Sequence, residues 1–96
     1  MSPGDEALLK QHLRYLQRLG RRPRTLVARE DAVRRFQRWC GTPLGEITRE
    51  EIEEYLDTTK KPATHRVYLA HIRGFYRWCV DEELLDRDPT RRVVGP

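Results

Sequence analysis

One phrase is written twice in this chain. Phe36-Gln37-Arg38-Trp39-Cys40 returns 39 residues later as Phe75-Tyr76-Arg77-Trp78-Cys79, and each copy stands eleven residues after a threonine, Thr25 or Thr64. Aromatic residues three apart with a small apolar residue after them share one side of an α-helix, so the repeat asks for two amphipathic helices of similar build. That pattern lets a chain with only 38% hydrophobic and 35% charged residues hold a packed core rather than remain disordered. At 96 residues it forms one small domain, burying roughly 60–65% of its unfolded surface, so its margin of stability is thin.

Charge follows the same division. Residues 20–40 carry seven arginines against Glu30 and Asp31, a net +5, and residues 60–80 carry Lys60, Lys61, Arg66, Arg73 and Arg77 with no carboxylate, again +5. Residues 41–59 set six carboxylates against Arg49, a net −5. The overall charge of +4 is modest; its segregation is the informative part, because two basic helices joined by an acidic one can gather positive charge where a polyanion such as nucleic acid would be held.

Residues 1–4 read as a flexible lead. Asp5 is placed to cap a first helix over 5–19, with Leu9, Leu13 and Leu16 as its stripe and Gly20 as its stop. A second helix over 24–40 turns Leu26, Val33, Phe36 and Cys40 inward, with Arg29 standing at a stripe position. Thr48-Arg49-Glu50-Glu51 is a capping box opening a short helix over 49–58. Pro62 suits the first turn of a fourth helix over 62–81, built along Leu69, Ile72, Phe75, Tyr76 and Cys79, with Asp88-Pro89 as a stop beyond it. No alternating strand pattern occurs, so the class is all-α. Trp39 and Trp78 are expected in the core, and Cys40 and Cys79 as small buried apolar residues rather than disulfide partners or metal ligands.

His12, His65 and His71 have no nucleophile arranged around them, and neither a phosphate loop nor a metal-ligand cluster is present. No cofactor, metal or catalysis is expected of these residues. No apolar run approaches the roughly 18–20 residues that span a bilayer, and the N-terminus lacks an apolar signal core, so a cytoplasmic, nucleoid-associated protein with no membrane partner is expected. The fourth helix has two candidate flanks. Thr64, Tyr68 and His71 offer short hydrogen-bonding groups, while Arg66, Arg73 and Arg77 offer charge, either to DNA or to the acidic third helix and Asp81-Glu82-Glu83.

The order and spacing of Leu9, Leu13 and Leu16, of Thr25-Leu26 with Val33, Phe36 and Trp39, of Ile47-Thr48-Arg49-Glu50-Glu51-Ile52, of Thr64, Leu69, Ile72 and Phe75-Tyr76-Arg77-Trp78, and of Asp88-Pro89 resemble the N-terminal core-binding domain of phage integrases and other tyrosine recombinases. The resemblance covers about residues 5–92. It implies a SAM-like bundle of four to five helices forming half of a clamp on duplex DNA, with the second and fourth helices toward the grooves. Carried to matching positions, it makes Thr25, Thr64, Tyr68 and His71 contact candidates and sets Arg22, Arg24, Lys60 and Lys61 toward phosphate; Arg29 and His65 complete the DNA-binding set. Two positions depart from the family's pattern: Arg29 stands where a tyrosine is frequent, and Asp88 where an asparagine usually precedes the proline.

The family's cleavage chemistry belongs to a separate C-terminal domain with a tyrosine nucleophile and a His-x-x-Arg signature, which the three histidines here do not form. The expectation is therefore a core-binding domain over 5–89 and a linker over 90–96 toward a catalytic domain. The fragment itself is expected to be a non-enzymatic monomer, and its parent a DNA breaking-rejoining recombinase that meets other recombinase protomers on a recombination site. The competing reading is a SAM-like self-association module, since an acidic third helix beside basic neighbours can support head-to-tail contact. A free-standing helix-turn-helix regulator is set aside because connectors of seven to eight residues exceed that motif's turn.

Overall fold

The computed structural model describes residues 1–95 and is all-helical among them: α1 (Pro3–Arg18), α2 (Pro23–Cys40), a 3₁₀ turn (Leu44–Glu46), α3 (Arg49–Asp57) and α4 (Pro62–Asp81). Each start has a local cause. Pro occupies the first turn of α1, α2 and α4, where its missing N–H removes no helical bond. Thr48 caps α3 in the expected capping box, its Oγ1 accepting from Glu51 N at 3.2 Å while Glu51 Oε1 accepts from Thr48 N at 3.2 Å. Gly41 closes α2 at φ 69°, in the left-handed region that favours glycine.

α1 begins earlier than its sequence suggests, and the reason is Asp5. Ser2 is the cap, its Oγ accepting from Asp5 N at 3.2 Å. The Asp5 carboxylate is buried and instead accepts from Leu44 N at 3.3 and 3.2 Å, while Tyr76 Oη donates to Leu44 O at 2.7 Å. Both backbone polar groups of Leu44 are thus satisfied by side chains from α1 and α4, which fixes the loop between α2 and α3 without leaving a buried polar group unpaired.

The core is contiguous: Leu9 from α1, Val33 and Phe36 from α2, Ile52 and Leu56 from α3, and Leu69, Ile72, Phe75 and Tyr76 from α4, closed by Leu44 and Ile47. α2 and α4 each pack on the other three helices among them, and Arg34 ties α2 to α1 through Glu6 at 2.5 Å. Trp78 is buried as expected, but Trp39 is 47% exposed and lies at the core's edge against Tyr55. His12, rather than Leu13, completes the buried stripe of α1 with Leu9 and Leu16. Both cysteines are free thiols; Cys79 is buried and Cys40 half-buried.

Only the Gly41–Thr48 connector has eight residues. Those at Leu19–Arg22 and Thr58–Lys61 have four, so connector length is no ground against a helix-turn-helix. After α4 the chain turns at Asp88, whose Oδ1 accepts from Thr90 N at 2.8 Å, and returns to the domain. Thr90 and Val93 are buried there.

Candidate nucleic-acid interface

The face shared by α2 and α4 gathers most of the residues singled out by sequence. Arg29 meets His71 and Gly74, and further along α2 Phe36 meets Tyr55, which stacks on Tyr68 nearer the start of α4, so the two helices run past each other in opposite senses. The basic starts of α2 and α4 therefore lie toward opposite ends of one face. Arg22 and Arg24 are exposed at one end, with Thr25 half-buried beside them. Lys60 and Lys61 are exposed at the other, with Thr64 and Tyr68 half-buried nearer the middle. Eighteen residues of α2 span about 27 Å, roughly eight steps of a duplex at 3.4 Å each.

The electrostatics of these two starts are alike. Arg22 is the N-cap of α2 and Lys61 that of α4; neither helix has a side-chain cap or an acid in its first turn. The free amides and the positive end of each helix dipole add to the basic side chains rather than being neutralised by them. By contrast α1 and α3 open with acids, Asp5 and Glu6 or Glu50 and Glu51.

The centre of the face is a guanidinium held by imidazoles. Arg29 Nε donates to His71 Nδ1 at 3.0 Å, and Arg29 Nη1 lies 2.7 Å from His12 Nε2. Gly74 makes this possible, because a Cβ there would stand 2.8 Å from both terminal nitrogens of Arg29. Burial, then the charge of Arg29, push His12 down to about 4 and His71 below the usual histidine range. Burial, then Arg21, lower Arg29 itself. At the Lys61 end, Tyr68 stacks on Tyr55 with ring centroids 6.2 Å apart and planes at 17°.

His65 does not join this group. It is half-buried beside Leu56, Asp57 and Val93, with Nε2 sealed from solvent and unpartnered. The arginine flank of α4 is divided. Arg73 is occupied internally, its Nη2 donating to the carbonyls of Thr90, at 3.1 Å, and Val93. Arg66 and Arg77 are exposed, and the ion pairs among the described residues involve neither of them nor Asp81, Glu82 or Glu83. The residue that sequence reasoning missed is His12, whose signal was its place on the Leu9–Leu16 stripe. The partnership of Arg29 with Gly74 left no trace in spacing.

Among the described residues no group of three or more His, Cys, Asp and Glu side chains is arranged to hold a metal ion, and no helix is long and apolar enough to cross a membrane. The family model for the phage integrase N-terminal SAM-like domain matches residues 8–86, and the chain belongs to that family. No curated protein and no solved structure matches it.

Proposed function

We propose that this domain is the DNA-binding half-clamp of a tyrosine-type site-specific recombinase and lays its α2–α4 face on duplex DNA during integration or a related exchange. The observation that carries this reading is the pair of uncapped, basic helix starts at opposite ends of one face. Arg22 and Arg24, about a helix length from Lys60 and Lys61, suit phosphates on either side of a groove, while Thr25, Thr64, Tyr68 and His71 lie between them for closer contacts. Cleavage and rejoining are assigned to a catalytic domain of the parent protein, with other protomers as partners on the site.

The test is titration of the domain with duplex DNA while backbone amide shifts are followed. Shifts along α2, α4 and their basic connectors are expected, with a slope of log K against log salt of about −4 to −5 if about four to six cations engage phosphate. Tyr68→Ala combined with His71→Ala should weaken binding without unfolding the domain. A slope near zero, or concentration-dependent shifts on α3 without DNA, would count for the self-association reading instead.

A further inference from the structure

Arg29 sits in an unusual place for a cation. It is half-buried, and the hydrogen-bond partners of its guanidinium are two histidines rather than a carboxylate. A guanidinium offers donors only and does not lose its proton in proteins. His71 Nδ1 and His12 Nε2 must therefore both present lone pairs to it. A neutral imidazole has one lone pair and one N–H, so the proton of His71 is on Nε2 and that of His12 on Nδ1. Protonating either ring at the nitrogen facing Arg29 would set N–H against N–H. His12 Nδ1 is sealed from solvent without a partner, whereas His71, half-buried on the α2–α4 face, does not have its Nε2 sealed in the same way.

We infer that Arg29 is a positioning residue that locks His71 as a neutral Nε2–H donor, so that His71 presents the nucleic acid with one donor and no acceptor. Such a group selects acceptors in the major groove, purine N7, guanine O6 or thymine O4, or a phosphate oxygen, and rejects the amino groups of adenine and cytosine. The inference rests on the DNA-binding reading of this face for its partner, but the lock itself does not. Arg29 acts on both histidines and Arg21 acts on Arg29, while Tyr15 of α1, Arg77 and Asp81 of α4 and Glu82 beyond it line the cavity that His12 and Arg29 share. The direction in which burial and Arg29 move both histidines agrees with rings kept neutral.

Two variants release the lock by different routes. Arg29→Met removes the donor. Gly74→Ala keeps α4 helical but puts a methyl where the terminal nitrogens of Arg29 lie, and the gain in helix propensity offsets strain. Long-range proton–nitrogen NMR on the nitrogen-15-labelled chain, without DNA and followed from about pH 8 to about pH 5.5, should show His71 as the Nε2–H tautomer, with protonation setting in at higher pH in either variant than in the unaltered chain. An Nδ1–H tautomer in the unaltered chain, or protonation at the same pH in all three proteins, would overturn the lock. The second arm measures duplex affinity over the same range. It should stay within about twofold for the unaltered chain and rise at least about threefold toward acid in the released variants, where an imidazolium forms beside phosphate. Released variants with a flat profile would overturn the delivery of this proton to DNA, a failure of the interface rather than of the tautomer.

Discussion

The two copies of the repeated phrase occupy equivalent helices and meet different fates. The correspondence at a spacing of 39 residues runs from Pro23 and Pro62, each in a first turn, through Val33 and Ile72 to Phe36 and Phe75, and all four of the latter are buried. It then breaks. Trp78 is 8% exposed, packed against His12 and Tyr15 of α1 at ring-centroid distances of 4.9 and 5.9 Å. Trp39 is 47% exposed, with Tyr55 as its aromatic neighbour at 5.5 Å. Helical period places both indoles at the same angle to their own core stripe. Whether a third helix lies over that angle is decided by the tertiary arrangement, which covers the flank of α4 with α1 and leaves the end of α2 open.

The largest effects should come where the copies agree. Phe36→Ala and Phe75→Ala are each expected to destabilise the fold by about 3–5 kcal/mol in urea unfolding, most of the stability of a domain this size. The tryptophans should then separate, with Trp78→Ala in that same range and Trp39→Ala costing under about 1 kcal/mol. Equal losses at the two tryptophans would erase the distinction between the copies.

The covering of Trp78 by α1 has a second consequence, because His12 is part of that cover. Its folded value of about 4 lies below the ordinary 6.5, so the unfolded chain binds the proton more tightly than the folded one. Folding stability is fully present above about pH 6.5 and falls as pH drops toward about 4, by roughly 3 kcal/mol at about 1.4 kcal/mol per pH unit. His71, lowered for the same causes, adds to the loss in the same direction. In His12→Gln the acid limb of a stability–pH curve should flatten; an unchanged limb would mean that His12 is not the group being protonated.

Much of the bundle could be read from local pattern. The bounds of α2, α3 and α4 follow from proline starts, a capping box and a glycine stop, signals that act within a few residues of where they occur. What escaped were facts created only by assembly. Asp5 looks like a helix cap until Leu44 is brought beside it, and Arg29 looks like a misplaced cation until His12, His71 and the space at Gly74 surround it. The candidate face was legible as charge and residue type. Its division into groups free to meet a ligand and groups tied up internally was not, because spacing alone does not tell Arg73, held by Thr90 and Val93, from Arg66.

The corresponding arginines sharpen the comparison further. Arg34, half-buried like Arg73, spends its charge on side-chain ion pairs with Glu6 and Glu30, and solvent-screened pairs of that kind are worth about 1 kcal/mol or less. Arg73, half-buried, donates to two backbone carbonyls of the returning tail, and charge-assisted bonds of that kind contribute about 1.5–3 kcal/mol. Arg73→Ala should therefore cost more stability than Arg34→Ala and should release amide protection at Val93, while DNA affinity changes little. A folded Arg73→Ala domain that no longer binds DNA would instead turn the clamp about the axis of α4.

The smallest expected effect lies where the two helices end. α2 ends at Gly41 with φ 69°, a conformation glycine adopts freely, whereas the chain leaving α4 passes through Glu83 at φ 59°. Leu84 N closes the end of α4 by donating to Cys79 O at 2.8 Å, so the left-handed residue is part of the helix stop and not an accident of the loop. A side chain in that region is strained by contact between its Cβ and the backbone. Glu83→Gly should remove the strain and gain up to about 1 kcal/mol, reduced by the larger backbone entropy that glycine loses on folding. Gly41→Ala should lose about as much for the mirror-image reason, since its backbone is already where alanine is disfavoured. Thermal melts of the two variants shifting in opposite directions would show that both helix ends use the same left-handed stop; a destabilised Glu83→Gly would mean that the carboxylate, and not the backbone, is what position 83 contributes.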